Sequence, residues 1–199
     1  FATSPACTAN YQPTTGVGQY VVNCAGGVQA NYNVTYHLAH LTVTPRTLTI
    51  FAVGQSIVYG TPTGVLTAQV AGLVNNDHLT VDATCVTAYT VTTSAGQTPS
   101  ITCSGAVQSN YDISYVPAVF TVTVRQLTIT AGSYVLQYGD AVPDYTMITS
   151  GFASGEGFVG GLNPTCYSTY SSTSSVGSYT TSCFGGSVSA NYNVTYVAG

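Results

Sequence analysis

The sequence predicts an all-β protein made of tandem antiparallel β-sandwich units. Residues 119–124 read Val-Phe-Thr-Val-Thr-Val and residues 41–44 read Leu-Thr-Val-Thr, so apolar and polar side chains alternate. This alternation is typical of strands that bury one face. Turn-forming Gly, Pro and Asn interrupt such runs about every 8 to 12 residues, and no helical pattern ten residues long is present. Strands with one apolar face predict two sheets packed face to face.

The chain also repeats itself with a period of about 79 residues. Arg46 opens the run Arg-Thr-Leu-Thr-Ile, and Arg125, 79 positions later, opens Arg-Gln-Leu-Thr-Ile. An Asn-Tyr pair recurs at positions 31–32, 110–111 and 191–192. We therefore predict three units: residues 1–45 form the C-terminal part of a repeat, residues 46–124 form a complete repeat, and residues 125–199 form a repeat that lacks its closing strand. The units join without a spacer, which predicts stiff junctions, unlike flexible Gly/Ser linkers.

Each unit contains one pair of cysteines. The pairs are separated by 17, 18 and 17 positions and consist of Cys7 and Cys24, Cys85 and Cys103, and Cys166 and Cys183. Matched pairs favour one disulfide in each unit and an oxidising, extracellular compartment. Buried free thiols are the alternative. Zinc sites usually contain closely spaced cysteines, and that spacing is not found here.

The composition excludes several classes of function. Charged residues make up 4% of the chain, against about 25% in typical domains, and the only basic residues are Arg46 and Arg125. Nucleic-acid binding needs clustered basic residues, and so does a polybasic membrane anchor. No apolar run is long enough to insert into a membrane as a helix. No nucleophile with a positioned base and no fixed pair of carboxylates stands out, so we expect neither an enzyme nor a cofactor.

Several short motifs recur in a fixed order along the whole chain. They include Leu-Thr-Val-Thr at 41–44, Tyr-Gly at 59–60, Gly-Leu-Val-Asn-Asn-Asp at 72–77, Val-Gly-Ser-Tyr at 176–179 and Asn-Tyr-Asn-Val-Thr-Tyr at 191–196. In this order the chain resembles the MBG (mostly beta, glycine-rich) repeats of large bacterial surface proteins and fibrillar adhesins. The resemblance implies Ig-like sandwich domains with a stalk or adhesive role. It implies no catalytic residue, and many members lack the cysteines found here.

Histidines and acids are the candidate metal ligands. The pattern predicts that His37 and His40 lie on a strand leading into residues 41–44 and that His78 lies in a turn, so we interpret them as surface residues. Calcium prefers six to eight oxygen ligands. The acids occur one or two per turn and at shifting positions, which favours hydrogen bonding within turns over calcium binding. They are Asp77, Asp82, Asp140, Asp144 and Glu156.

Two sequence motifs and many tyrosines are candidate surface sites. Asn33 and Asn193 each begin an Asn-Val-Thr sequon at equivalent positions of two repeats, and we predict them as candidate N-glycosylation sites. Tyrosines next to Ser and Thr can stack on sugars or contact proteins, although most strand tyrosines are half-buried packing residues. Tyr167, Tyr170 and Tyr179 are examples.

These observations favour a structural stalk or fibre segment of an extracellular cell-surface protein. Its expected partners are copies of itself or neighbouring repeats, together with host or environmental glycans or proteins. One alternative is a filament subunit that polymerises by strand complementation, because incomplete sandwiches expose strand edges. A glycan-binding module is another.

Overall fold

The computed structural model describes residues 1–199, which form fifteen strands and one 3₁₀ turn. The strands are β1 (Ala6–Ala9), β2 (Gly18–Ala25), β3 (Ala39–Val43), β4 (Arg46–Ala52), β5 (Gln55–Val58), β6 (Ala68–Ala71), β7 (Thr84–Thr87), β8 (Ser100–Ser104), β9 (Tyr111–Val116), β10 (Ala118–Thr123), β11 (Arg125–Ala131), β12 (Met147–Ser150), β13 (Thr165–Ser168), β14 (Thr181–Phe184) and β15 (Tyr192–Val197). The 3₁₀ turn spans Val159–Gly161. The all-β class predicted from the sequence is confirmed. No helix in the structure has the length and apolar character that crossing a bilayer requires.

The chain folds into two compact units. The first consists of Phe1–Val53, Leu66–Val86 and Ile101–Ala118. The second consists of Gly54–Val65, Thr87–Ser100 and Val119–Gly199. Each unit therefore combines residues of two consecutive sequence repeats.

The first unit contains two three-stranded sheets. One has the order β1-β2-β3 with antiparallel neighbours, and the other has the order β6-β4-β9. In β4 the side chains of Leu48 and Ile50 are fully buried, and threonines precede them on the other face. The alternation in the sequence thus places the apolar face of β4 in the core.

The second unit repeats the plan of the β6-β4-β9 sheet. Its strands follow the order β12-β11-β15, with Leu127 and Ile129 of β11 fully buried. Arg125 lies opposite Tyr192 in the same register that places Arg46 opposite Tyr111. The unit also contains the β13–β14 hairpin and a β5–β10 pair. The internal repeat of the sequence is therefore also a repeat of strand register.

Three strand pairs are parallel: β4 with β9, β11 with β15, and β5 with β10. Parallel neighbours need a long connection, and more than fifty residues separate the partners in each pair here. Antiparallel sheets are expected from the sequence, and these three pairs correct that expectation. The alternation could not reveal the direction, because parallel and antiparallel strands have the same two-residue side-chain period.

The six cysteines form three disulfides, and no cysteine is free. Cys7 of β1 lies directly opposite Cys24 of β2, and Cys166 of β13 lies directly opposite Cys183 of β14. Cys85 joins Cys103 in the same way across β7 and β8, which are neighbours in their sheet. Each disulfide thus joins neighbouring strands of one sheet.

Candidate functional site

The asparagine of the repeated Asn-Tyr pair binds the backbone of the preceding sequence repeat. In the first unit, Oδ1 of Asn110 accepts a hydrogen bond of 3.0 Å from the backbone N–H of Val17. In the second unit, Oδ1 of Asn191 accepts one of 2.9 Å from the N–H of Ala95. Val17 lies in predicted repeat one and Ala95 in predicted repeat two. The equivalent asparagine therefore joins repeat one to repeat two at the first junction and repeat two to repeat three at the second.

The tyrosine of the pair closes the glycine-containing corner of its own repeat. The Tyr111 hydroxyl accepts a 2.9 Å hydrogen bond from the Val74 N–H and donates one of 2.8 Å to Oδ2 of Asp77. The Tyr192 hydroxyl accepts a 2.9 Å hydrogen bond from the Ala153 N–H and donates to Oε2 of Glu156. Both tyrosines are buried. The corner acids are thus held in place by phenol donors.

Glu156 also accepts a hydrogen bond from the preceding repeat. The hydroxyl of Tyr59, which belongs to predicted repeat two, donates to Oε1 of Glu156 at 2.5 Å. The rings of Tyr59 and Tyr192 pack edge to face, with centroids 5.8 Å apart. Arg125 donates from Nη1 to the Tyr59 carbonyl at 3.2 Å and from Nε to the Gly151 carbonyl at 2.7 Å. We call Tyr59, Arg125, Glu156 and Tyr192 the Glu156 cluster; it joins repeats two and three within the second unit.

The environment of the cluster favours the neutral form of both phenols. The hydrogen bond to Glu156, with burial, raises the pKa of Tyr59 above its usual value of 10.0. Burial, with the hydrogen bond to Glu156, raises the pKa of Tyr192. In the first unit, burial is the main factor that raises the pKa of Tyr111. Each phenol therefore remains a donor to its acid throughout the neutral pH range.

We expect the free energy of unfolding to fall in alkaline solution. A tyrosine whose pKa is raised in the folded state stabilises the fold fully below the unfolded pKa of about 10, and this contribution is lost as pH rises above that value. Urea unfolding should give a constant stability from pH 7 to about pH 9 and a decreasing one from about pH 10. In the Tyr59→Phe variant the side chain at position 59 cannot ionise, so its free energy of unfolding should decrease less steeply with pH. The control is Tyr32→Phe, at an exposed tyrosine, whose free energy of unfolding should vary with pH as that of the parent does. Equal slopes for all three proteins would contradict the role of Tyr59.

Glu156→Gln should destabilise the second unit by about 1–3 kcal/mol. An amide has one acceptor oxygen where the carboxylate has two, so one of the two phenols loses its acceptor. The matched control is Asp144→Asn, which also removes one negative charge but from an exposed carboxylate that makes no hydrogen bond within the protein. Denaturant unfolding should leave the control within about 0.5 kcal/mol of the parent. If the two variants are equally stable, the cluster does not hold the junction.

Of the candidate site residues of the sequence analysis, only Glu156 belongs to this cluster. Asn33 and Asn193 are both exposed, and glycosylation at them stays a prediction. His37, His40 and His78 are exposed as well. No group of three or more histidines, cysteines or acids lies close enough together to hold a metal ion. Asp77 and Glu156 contact tyrosine hydroxyls, while Oδ2 of Asp140 accepts a turn hydrogen bond of 2.7 Å from the Gln137 N–H.

In the sequence, the Asn-Tyr pair and the corner acids were visible only as features that recur in each repeat. The hydrogen bonds that they make with the backbone and with one another were not predicted. A usable signal was present, since the Asn-Tyr pair and the corner acid recur together in repeats two and three at positions 77, 110–111, 156 and 191–192. Co-occurrence of a donor and an acceptor at fixed repeat positions predicts that they meet. The partner of each asparagine is a backbone N–H, which leaves no trace in the residue types.

Two segments of the chain match a known domain family. The model of the MBG domain (YGX type) matches two tandem segments, residues 48–121 and 127–199. Comparisons with curated proteins and with solved structures gave no match. The Tyr-Gly pairs at 59–60 and 138–139 lie at corresponding places in the two segments. Because the two segments together span most of the sequence, the chain belongs to the MBG domain family (YGX type) and carries two consecutive copies of its domain.

Proposed function

We propose that this chain is a load-bearing stalk segment of a large extracellular surface protein. The observation that carries the proposal is the pair of junctions, in which side chains of one repeat bond directly to the repeat before it. Asn110 and Asn191 make equivalent contacts of 3.0 and 2.9 Å at the two junctions. Membership in the MBG family supports the role of a repeat segment in a surface protein.

Strand connections support the same role. Strand β10 ends at Thr123 and β11 begins at Arg125, while β3 ends at Val43 and β4 begins at Arg46. Fewer than three residues therefore separate the last strand of one repeat from the first strand of the next. Flexible linkers behave as random coils whose ends fluctuate widely. Junctions this short, reinforced by side-chain hydrogen bonds, transmit tension with little slack.

The disulfides suit a chain that is stretched outside the cell. Each joins directly opposite residues of neighbouring strands, so the residues between the two cysteines cannot be drawn out. With a separation of 17 positions, one disulfide withholds roughly 60 Å of contour length. Disulfides persist in oxidising compartments, which supports an extracellular location.

Single-molecule stretching of the chain between two handles tests the proposal. We expect discrete unfolding events, and a fully extended length that increases by roughly 60 Å for each disulfide when the protein is reduced. Glu156→Gln should lower the unfolding force of one event, and Asp144→Asn should leave it unchanged. A chain that extends smoothly at low force, with no unfolding events, would show that it bears no load.

Gly60 and Gly139 offer a matched pair of variants for the contact between repeats. Both glycines have positive φ angles, 75° and 91°, so alanine is similarly strained at either position. A Cβ at Gly60 would lie 2.6 Å from Cβ of Ala153 in the following repeat, whereas a Cβ at Gly139 would meet nothing within 4 Å. Thermal unfolding should therefore show a larger loss of stability for Gly60→Ala, by about 1–3 kcal/mol. Equal losses would mean that only backbone strain matters.

A further inference from the structure

The β13–β14 hairpin of the second unit presents two aromatic side chains to solvent. Tyr167 is 50% exposed and Phe184 is 58% exposed, and their rings pack edge to face with centroids 5.5 Å apart. Tyr167 lies opposite Ser182 and Phe184 lies opposite Thr165, so both rings project from the same face of the hairpin. The other face carries Cys183, which is buried in the core. The aromatic pair therefore lies outside the core of the unit.

This aromatic pair is particular to repeat three. Counted from the paired cysteines, the equivalent side chains of repeats one and two are smaller, and all of them are exposed: Thr8, Ala25, Val86 and Ser104. The same face of the hairpin is thus directed to solvent in every repeat. Small side chains are sufficient at these positions for the fold, so the two rings of repeat three are not required for packing within the unit.

Strand β13 also lies at an open edge of its sheet. Its one neighbouring strand is β14, so the backbone on its other side has no strand partner. The equivalent strand of repeat two, β7, lies at the edge of its sheet as well, although β8 has a second neighbour there. Proteins commonly protect open edges with charged side chains, especially lysine. Residues 157–190 include no charged residue, so β13 lacks this protection.

The register of the hairpin shows which backbone groups face the open edge. The Cα atoms of Cys166 and Cys183 lie 3.9 Å apart, the close spacing of an antiparallel pair that exchanges no backbone hydrogen bonds. The N–H and C=O groups of such a pair point away from the neighbouring strand. Cys166 and Ser168 therefore direct these groups to the open edge, whereas Tyr167, between them, directs its own groups to β14.

Two copies of β13 are complementary about a two-fold axis at Tyr167. When they run antiparallel with the two Tyr167 residues opposite each other, Cys166 of each copy lies opposite Ser168 of the other. Both of these pairs can then exchange backbone hydrogen bonds across the open edges. The two Tyr167 rings form a directly opposed aromatic pair, which stabilises antiparallel strands. A register with Cys166 opposite itself would instead place Pro164, which has no N–H, opposite Ser168.

We propose that the β13 edge and the Tyr167–Phe184 pair form an interface with a second copy of this chain. The two hairpins join into one continuous sheet, and the aromatic side chains of both copies form a row on its exposed face. One surface serves both partners, as a two-fold interface requires. Because neither hairpin carries a charge, the association is insensitive to salt. This inference goes beyond the proposed load-bearing role, because it joins segments side by side whether or not the chain is ever stretched.

Sedimentation equilibrium of the 199-residue chain tests the proposal between roughly 10 µM and 1 mM, the upper end being the effective concentration of closely tethered neighbours. We expect a weak monomer–dimer equilibrium. Tyr167→Lys should weaken it at least about tenfold, because two like charges would lie opposite each other in place of the aromatic pair. The matched control is Val86→Lys, the same change at the equivalent exposed position of β7, and it should dimerise as the parent does. Tyr167→Phe keeps the ring and should also dimerise.

Oxidative tyrosine cross-linking identifies the contact, since phenols that touch are joined as dityrosine. Mass spectrometry of the cross-linked dimer should find the peptide that contains Tyr167 joined to a second copy of itself. Three results would overturn the proposal. They are a monomer throughout the concentration range, a dimer that Tyr167→Lys leaves intact, and a dimer that Val86→Lys weakens as much as Tyr167→Lys does, which would make the added charge, not its place on β13, the cause.

Discussion

Phe120→Ala is expected to lower the free energy of unfolding of the second unit by about 3–5 kcal/mol. The Phe120 side chain is fully buried and stacks on Tyr89 with an interplanar angle of 26°. Truncation removes the buried aromatic surface and leaves a cavity that the strand backbone cannot collapse to fill. It also removes one wall of the site in which the Tyr89 hydroxyl binds the Thr61 carbonyl. Urea unfolding followed by tyrosine fluorescence measures the loss.

Val119→Ala is the control for this prediction. Val119 is the preceding residue of the same strand, but its side chain is 54% exposed. We expect a change within about 0.5 kcal/mol, since exposed positions away from special features tolerate substitution. Comparable losses at positions 119 and 120 would show that β10 is weakened through its strand propensity and not through its buried ring.

Cys166→Ala combined with Cys183→Ala is expected to cost about 3 kcal/mol or more. A disulfide that closes a loop of this size stabilises mainly by restricting the unfolded chain. The β13–β14 sheet has only these two strands, and an isolated hairpin is marginal in water. Cys183 is also buried against Ile129 and Ala131, so the variant loses packing as well as the covalent bond. Denaturant unfolding and amide exchange of β14 both report the effect.

The matched comparison is Cys7→Ala combined with Cys24→Ala. Its two cysteines have the same sequence separation of 17, so removing this disulfide should increase the conformational entropy of the unfolded chain by the same amount. Strand β2, however, keeps β3 as a second neighbour, and Cys24 is only half-buried. We expect the smaller loss of stability here, with exchange protection retained along β2. The reverse order would mean that native-state packing around the disulfides does not matter.

The sequence predicted those parts of the fold that depend on local pattern. The run Arg-Gln-Leu-Thr-Ile at residues 125–129 alternates as well, which puts Leu127 and Ile129 on one apolar face, and both are fully buried. The partner of β11 was not predictable in the same way. It is β15, more than sixty residues later, and it runs parallel. Alternation specifies which face of a strand is buried, but it contains no information about which distant strand lies alongside or in which direction.

The candidate site was predictable only as a set of repeated positions. Glu156 was considered as a calcium ligand or a turn residue, and its partners are the hydroxyls of Tyr59 and Tyr192. Tyr59 lies 97 positions before Glu156 in the sequence. A carboxylate accepts hydrogen bonds from many donors, so the residue type alone does not identify the donor it will meet. The register of the repeats, which fixes the meeting point, emerges only in the folded chain.

The position of the disulfides has a consequence for how such a segment can vary. When a chain is pulled by its ends, tension passes from Cys7 to Cys24 through the two sulfur atoms, and the residues between them carry none of it. The same is true of the residues enclosed by Cys85 and Cys103 and by Cys166 and Cys183. These loops lie off the covalent load path, although Val17 and Ala95 within two of them bind Asn110 and Asn191 at the junctions. Substitutions at exposed loop positions away from these two contacts are expected to alter the surface that the segment presents with little effect on its mechanical strength.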